Sequence, residues 1–196
     1  VDTDQLIPSR FMSTPRSEGY GQYLLHDLRH DATGTPDAAF PLHRAPEASV
    51  LVTRRNFGGG SSREAAVYAL VDFGIRAVVA PSFGDIFASN AVNNGLLPAK
   101  VDAAAVDALI ARLGTQTAPA HVDLGATTVR IGDTEPSNAL APIWREKLIN
   151  GWDDIDLTRH HGAAIDAFRQ DLATSAPWAL AAGRSRTETD RAVPNA

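Results

Sequence analysis

The 196-residue chain contains no cysteine and only one methionine. Without cysteine it forms no disulfide, offers no thiolate nucleophile and cannot hold an iron–sulfur cluster with its own side chains. It also lacks an apolar run approaching the ~18–20 residues that a membrane span needs, so we expect no transmembrane segment. No signal-peptide pattern is recognised, and we expect a cytoplasmic protein.

Positive charge is also scarce, because 18 lysines and arginines face 23 acidic residues and leave a net charge of −5. An acidic chain without a basic stripe is a poor candidate for nucleic acid, whose binding depends on neutralising phosphates. The six histidines have no zinc-ligand spacing. The sequence therefore predicts neither a nucleic-acid partner nor metal ligands in this chain.

The composition is that of a globular protein, with 44% apolar and 21% charged residues. The length suits one domain. We predict a single domain over residues 1–182 and a polar tail over residues 183–196. A stretch rich in proline, glycine and alanine at residues 31–48 predicts a long loop within that domain.

Strand and helix patterns alternate in the middle of the chain. Short β-type runs are predicted at residues 50–53 and 75–80, and a hairpin is predicted over residues 121–131. Apolar residues at helical spacing predict helices that end before Gly74, over residues 85–93, and after a cap at Asp102. This order predicts an α/β fold with a mixed, partly parallel sheet flanked by helices.

The most unusual stretch is residues 56–64, NFGGGSSRE, between a predicted strand and a predicted helix. Three glycines allow a ligand to approach the backbone closely, and the helix N-terminus offers free N–H groups and a positive dipole end. The planar fork of Arg63 suits a carboxylate. The lysine of a phosphate loop and the glycines of a dinucleotide fingerprint or nucleophile elbow are missing, which favours a carboxylate ligand.

Two polar patterns have a purely structural alternative. Ser61 and Glu64 also form a Ser-x-x-Glu capping box, which stabilises a helix by about 0.5–2 kcal/mol without any ligand. The three glycines favour the anion site, because capping does not require them. Near the N-terminus, Asp2 and Asp4 could divide acid and base roles or simply form a polar turn. The residue pattern leaves both choices open.

Four ordered blocks resemble the small subunits of 3-isopropylmalate dehydratase, within the aconitase family. They are VDTDQLIPSRF at 1–11, NFGGGSSRE at 56–64, APSFGDIF at 80–87 with NGLLP at 94–98, and NGWDDIDLT at 150–158. The resemblance covers most of the chain and implies the swivelling β/β/α domain.

The resemblance also implies an activity, a partner and a cofactor. A small subunit of this family pairs with a large subunit that holds a [4Fe-4S] cluster, and the active site forms between them. The implied reaction interconverts 2-isopropylmalate and 3-isopropylmalate by dehydration and rehydration, in leucine biosynthesis. The implied substrate is thus a small hydroxy-dicarboxylate, and this chain itself binds no cofactor.

The resemblance assigns roles to particular residues. Ser61 resembles the general base that removes the proton next to a carboxylate, and Arg63 resembles the binder of the substrate carboxylate. A serine alkoxide could be stabilised by the helix N-terminus, the loop amides and a nearby guanidinium. Further substrate contacts are implied for Ser62, Gly60, Asp4 and Arg10. The segment Tyr23–His26 lies where the family places its substrate-choosing loop.

The chain departs from the family pattern beside these residues. The family usually reads Asn-Phe-Gly-Cys-Gly-Ser-Ser-Arg-Glu-His-Ala, whereas this sequence has Gly59 and Ala65 in place of the cysteine and histidine. Two alternatives follow. The chain is a paralogous subunit that acts on another malate, such as 2-methylmalate or 2,3-dimethylmalate, or a non-catalytic carboxylate-binding module that keeps the fold.

Overall fold

The computed structural model describes residues 1–179, and the polar tail predicted at 183–196 lies outside the described residues. The chain divides into two compact units, one over Val1–Ile155 and one that begins at Asp156. The second unit is helical over its described residues. No helix within residues 1–179 is long and apolar enough to cross a membrane.

The first unit combines five strands with short and medium helices. The strands are β1 Val50–Val52, β2 Ala77–Ala80, β3 Leu97–Lys100, β4 Ala120–Asp123 and β5 Thr128–Ile131. The helices of the whole described chain are α1 Thr3–Leu6, α2 His26–Arg29, α3 Pro41–Arg44, α4 Glu64–Phe73, α5 Asp85–Asn93, α6 Ala103–Leu113, α7 Pro142–Asn150, α8 Asp154–His160 and α9 Gly162–Ser175. Helix α3 interrupts the long loop that was predicted at residues 31–48.

A three-stranded parallel sheet in the order β1-β2-β3 forms the centre of the unit. Successive side chains of a strand point to opposite faces, so the strands contribute to two cores. Leu51 and Val78 belong to the core that includes α4 and α5 residues, whereas Val50 and Val79 belong to the core that includes α6 residues. All of β2 is buried, which explains its continuous apolar sequence.

The predicted hairpin is present as an antiparallel pair, β4 with β5. The α/β class is confirmed, with the parallel and antiparallel pairs in two separate sheets. The sequence analysis did not identify β3, because Pro98 is unfavourable in a strand. The position of β3 at the edge of the parallel sheet reduces that penalty, since an edge strand can leave one backbone donor unpaired.

Helix ends confirm two predicted caps and correct a third. Asp102 accepts hydrogen bonds from the N–H groups of Ala104 and Ala105, and Gly74 ends α4 with φ +114°. The predicted capping box at Ser61 is wrong, because α4 begins at Glu64 and no side chain caps it. Ser61 lies two residues before the observed N-cap, Arg63, and therefore too early in the loop to cap the first turn.

The capping box of this region is instead at the N-terminus of the chain, in α1. There Asp2 Oδ1 accepts from Gln5 N at 2.8 Å, and Gln5 Oε1 accepts from Asp2 N at 3.0 Å. The polar-turn interpretation of Asp2 is therefore confirmed. Leu6 and Ile7 follow and are fully buried, so this short turn is anchored in the core.

Candidate active site

The glycine-rich loop and the loop after β2 lie at the same edge of the sheet, since β1 and β2 are parallel. Phe57 N donates to Ser82 O at 3.0 Å, and Gly84 N donates to Phe57 O at 3.0 Å. The Ser82 hydroxyl accepts a further bond from Asn56 N at 2.8 Å. These bonds make one rigid rim from two loops, and the predicted base lies on it.

The close approach of the two loops requires glycine. Gly58 has φ +69°, and a Cβ at this position would lie 2.2 Å from the ring of Phe87. A Cβ on Gly84 would lie 2.6 Å from the carbonyl oxygen of Gly58. Real Cβ contacts are never so short, so any side chain at either position would push the loops apart.

The N-terminal segment forms the third side of the site, and the sequence analysis did not predict this contact. Val1 O accepts from Gly58 N at 2.8 Å, and Thr3 N donates to Gly59 O at 3.0 Å. The Thr3 hydroxyl donates to Ser61 O at 2.8 Å, and its side chain is buried. No sequence pattern indicates which distant loop a buried threonine contacts.

These three segments enclose a small pocket of about 210 Å³. Its described lining consists of Thr3, Gly58, Gly59, Gly60, Ser61, Arg63, Gly84, Asp85, Ile86 and Phe87. The predicted residues Ser61, Arg63 and Gly60 are therefore brought together. Ser61 and Ser62 are exposed, and within residues 1–179 neither hydroxyl makes a hydrogen bond. Both hydroxyls are available to a ligand next to the N-terminus of α4.

Arg63 is paired with the predicted aspartate of α1. Its Nη2 lies 2.5 Å from Asp4 Oδ1, and its Nη1 donates a long bond of 3.5 Å to Ile7 O. The guanidinium is largely buried while Asp4 is half exposed. A carboxylate that approaches from solvent would therefore meet an arginine that is already oriented. The present partner of this arginine, Asp4, is exposed enough to be hydrated when it is displaced.

The structure places Arg10 in a different group of side chains. Its Nη1 donates to Asp27 Oδ2 at 2.8 Å, and Nη2 makes a short contact with Asp27 Oδ1. This bond is the main reason that the pKa of Asp27 is lowered to about 2. The ring of Phe11 stacks on Tyr23 at 4.3 Å. Arg10 thus lies with the predicted substrate-choosing segment and is not among the described residues of the pocket.

Because Gly59 has no side chain, the amide group of Asn56 can lie beside it. A Cβ at Gly59 would lie 2.7 Å from Nδ2 of Asn56. The cysteine that the family pattern places here would therefore displace this amide. Ala65 is buried in the first turn of α4, where it packs in the core.

The described residues of this chain do not form a metal centre. Over residues 1–179, no group of three or more histidine, cysteine, aspartate or glutamate side chains could hold an ion. A [4Fe-4S] cluster requires cysteine ligands, and the chain contains none. We therefore derive no chemical step from a cluster held by this chain.

A larger cavity of about 860 Å³ lies elsewhere, between β1, the end of α6 and β4. Its lining is mostly apolar, and none of the predicted site residues is among the described residues that form it. Size alone would favour this cavity, but the chemistry favours the pocket at Ser61. Within residues 1–179, that pocket brings together a free hydroxyl, an arginine, a glycine-rich loop and a helix N-terminus.

Comparison with known proteins agrees with the resemblance. The family of the aconitase C-terminal domain matches residues 2–104. A solved structure of 3-isopropylmalate dehydratase from Methanocaldococcus jannaschii superimposes with a TM-score of 0.62 and 28% sequence identity. The match covers 85% of this chain and 92% of that one.

Several 3-isopropylmalate dehydratase small subunits are similar in sequence to this chain over most of its length. The 3-isopropylmalate dehydratase small subunit of Shewanella oneidensis is 44% identical over 88% of this chain and 89% of its own. The small subunit of Rhodospirillum centenum is 42% identical over 92% of this chain and 91% of its own. The family resemblance is thereby confirmed: this chain belongs to the aconitase family, among the 3-isopropylmalate dehydratase small subunits.

Proposed function

We propose that this chain is the small subunit of a hydro-lyase that interconverts 2-isopropylmalate and 3-isopropylmalate in leucine biosynthesis. The observation that carries the proposal is the pocket in which Ser61 is exposed at the N-terminus of α4, beside Arg63. In this proposal a large subunit holds a [4Fe-4S] cluster, closes the half-open pocket and completes the site. The assembly works in the cytoplasm.

Ser61 is the general base of the proposed reaction. Its hydroxyl, as alkoxide, takes the proton from the carbon next to a substrate carboxylate. The N-terminus of α4 stabilises the negative oxygen. A cluster held by the partner would supply a Lewis acid for the hydroxyl group that leaves. Rehydration yields the isomer when the elements of water return in the opposite sense, the proton to the carbon that lost the hydroxyl and hydroxide to the carbon that lost the proton.

The other residues bind and orient the substrate. Arg63 donates parallel hydrogen bonds to one carboxylate, and Asp4 holds the guanidinium until the substrate arrives. Ser62 and the Gly60 N–H supply further hydrogen bonds. Arg10 acts with the Tyr23–His26 segment toward the second carboxylate or the alkyl group, after release from Asp27.

The base assignment is tested by Ser61→Ala in the complete enzyme. The chain is co-expressed with its large subunit, the cluster is reconstituted without oxygen, and the unsaturated intermediate is followed by its absorbance. We expect Ser61→Ala to lower kcat by at least about a hundredfold, as for other removed general bases. Ser137→Ala, at an exposed serine, is the matched control. Turnover of Ser61→Ala above a tenth of the wild-type value would refute the assignment.

A second candidate substrate class follows from the amide of Asn56, which occupies the space that a side chain at position 59 would need. A pocket reshaped in this way could favour a smaller malate. The same assay on 2-methylmalate and 2,3-dimethylmalate separates the two activities. Activity on these alone would make the chain a paralogous subunit. An intact complex without any turnover would favour a carboxylate-binding module.

A further inference from the structure

Thr3 is the buried polar residue nearest to the proposed base along the hydrogen-bond network. Only 2% of it is exposed. Its backbone N–H donates to Gly59 O at 3.0 Å, and its hydroxyl donates to Ser61 O at 2.8 Å. One residue therefore binds the glycine loop on both sides of Gly60.

The loop needs such a constraint at this point. Gly60 has φ +97°, and glycine has the greatest backbone freedom of all residues. Ser61 follows it, lies outside α4 and is exposed. Its Cβ direction depends on the torsions around its own peptide groups, so a carbonyl that is held in place also holds the direction of the Cα–Cβ bond that carries the hydroxyl.

Thr3 can act as a rigid anchor, because its own turn is fixed. The capping box between Asp2 and Gln5 closes α1, and Leu6 and Ile7 anchor it in the core. The next residue, Asp4, pairs with Arg63. A single turn thus contacts both the segment of the base and the arginine that binds the carboxylate.

We propose that Thr3 is a positioning residue, whose hydroxyl holds the Ser61 carbonyl and thereby aims the Ser61 hydroxyl at the substrate carbon. The inference rests on the proposed function, in which Ser61 is the base. Threonine meets two needs at once, since its methyl group fits the buried site and its hydroxyl donates the hydrogen bond. Valine keeps the shape and loses the donor.

The experiment compares Thr3→Val, Thr3→Ser and Ser61→Ala in the reconstituted complex with 3-isopropylmalate. We expect Thr3→Val to lower kcat about ten- to a hundredfold, the effect of a misplaced reacting group, while KM stays within about twofold. Thr3→Ser keeps the donor and should restore most of kcat. Thr128→Val, on β5, controls for the exchange of threonine for valine elsewhere in the chain.

Complex formation and thermal melting of each variant are measured alongside turnover. Wild-type kcat in Thr3→Val, with Ser61→Ala inactive, overturns the inference and leaves the proposed function standing. An active Ser61→Ala overturns the proposed base itself. A loss in Thr3→Val that Thr3→Ser does not restore indicates a structural role and also overturns the inference. Thr3→Ala replaces Thr3→Val in the comparison should valine prevent folding.

Discussion

At the scale of single residues, the arginine of the pocket is oriented before any ligand arrives. Arg63 is largely buried, and its two terminal nitrogens contact Asp4 Oδ1 at 2.5 Å and Ile7 O at 3.5 Å. Burial strengthens its attraction for an anion, and the preset orientation reduces the entropy lost on binding. The proposed role of Arg63 in carboxylate binding therefore depends on the shape of the guanidinium as well as on its charge.

Replacing Arg63 by lysine tests this dependence on shape. A lysine retains the charge but cannot donate two parallel hydrogen bonds to a carboxylate. Losing one charge-assisted bond of about 1.5–3 kcal/mol should raise KM about ten- to a hundredfold. Steady-state kinetics of the complete enzyme measures this, with Arg130→Lys as control on the exposed side of β5. Wild-type kinetics for Arg63→Lys would contradict the assigned role.

The pair between Arg10 and Asp27 gives a prediction on pH. The pKa of Asp27 is lowered to about 2, chiefly by the hydrogen bond from Arg10. A carboxylate with a lowered pKa in the folded state contributes stability above its unfolded pKa of about 3.9. That contribution is lost as the pH falls from about 4 through about 2. The pair therefore persists over the whole neutral range.

Arg10→Gln should return the pKa of Asp27 toward its ordinary value, and NMR titration of the carboxyl carbons measures the change. Asp31 provides an internal control. Its pKa is lowered by the Thr33 hydroxyl and by backbone N–H groups, so the substitution should leave it unchanged. An Asp27 midpoint that stays near the wild-type value in Arg10→Gln would show that another group lowers it.

At the scale of elements, the glycine loop is shaped by the helix that packs against it. The ring of Phe87 in α5 occupies the space where a Cβ of Gly58 would lie. The loop, α1 and α5 therefore form one unit around the pocket, and the sequence of each limits the others. The three-glycine stretch is explained by packing at Gly58 and by backbone conformation at Gly60.

The cost of packing at Gly58 can be separated from the cost of its backbone conformation. The test compares the unfolding free energies of Gly58→Ala and Gly95→Ala. Both glycines have a positive φ, +69° and +72°, but Gly95 has no atom within 4 Å of an added Cβ. Gly95→Ala should cost about 1–2 kcal/mol of unfolding free energy from the left-handed conformation alone. Gly58→Ala should cost about 1–3 kcal/mol more, because the loop must shift away from Phe87. Urea denaturation measures both, and equal losses would show that packing at Gly58 is unimportant.

Helix α7 illustrates a contact that its sequence does not indicate. Lys147 is only 3% exposed, and its ammonium lies 2.6 Å from Asp154 Oδ1 and also contacts Asn93 of α5. The hydrogen bond from Lys147 is the main cause that lowers the pKa of Asp154. A lysine in a helix is usually exposed, so its burial follows only from the packing of α7 on α5.

At the scale of the whole molecule, the similarity of the chain to 3-isopropylmalate dehydratase small subunits implies a large-subunit partner. Ser61 and Gly60 are exposed beside the largely buried Arg63, and the chain contains no cysteine that could bind a cluster. Strong electrostatic stabilisation needs a site from which water is excluded. We therefore expect the isolated chain to be inactive, and the large subunit to supply both the enclosure and the remaining chemistry.

The amino-acid sequence by itself determined the α/β class, the strands β1 and β2, the bounds of α5, and the caps at Asp102 and Gly74. Its ordered blocks also identified the family. These features are local, because apolar periodicity and cap residues act over a few neighbouring positions. The proximity of Gly60, Ser61 and Arg63 in one pocket could be expected for the same reason, because these residues are neighbours in the sequence.

Only the tertiary structure decided what surrounds that loop. It placed Thr3 against Ser61, which lies 58 positions away, and it joined Asp4 to Arg63 and Arg10 to Asp27. It also showed that Ser61 does not have the predicted capping role. Such contacts depend on how separate elements pack, and a polar residue can satisfy its hydrogen bonds with many partners. The pocket therefore arises from distant segments whose meeting no single stretch of sequence encodes.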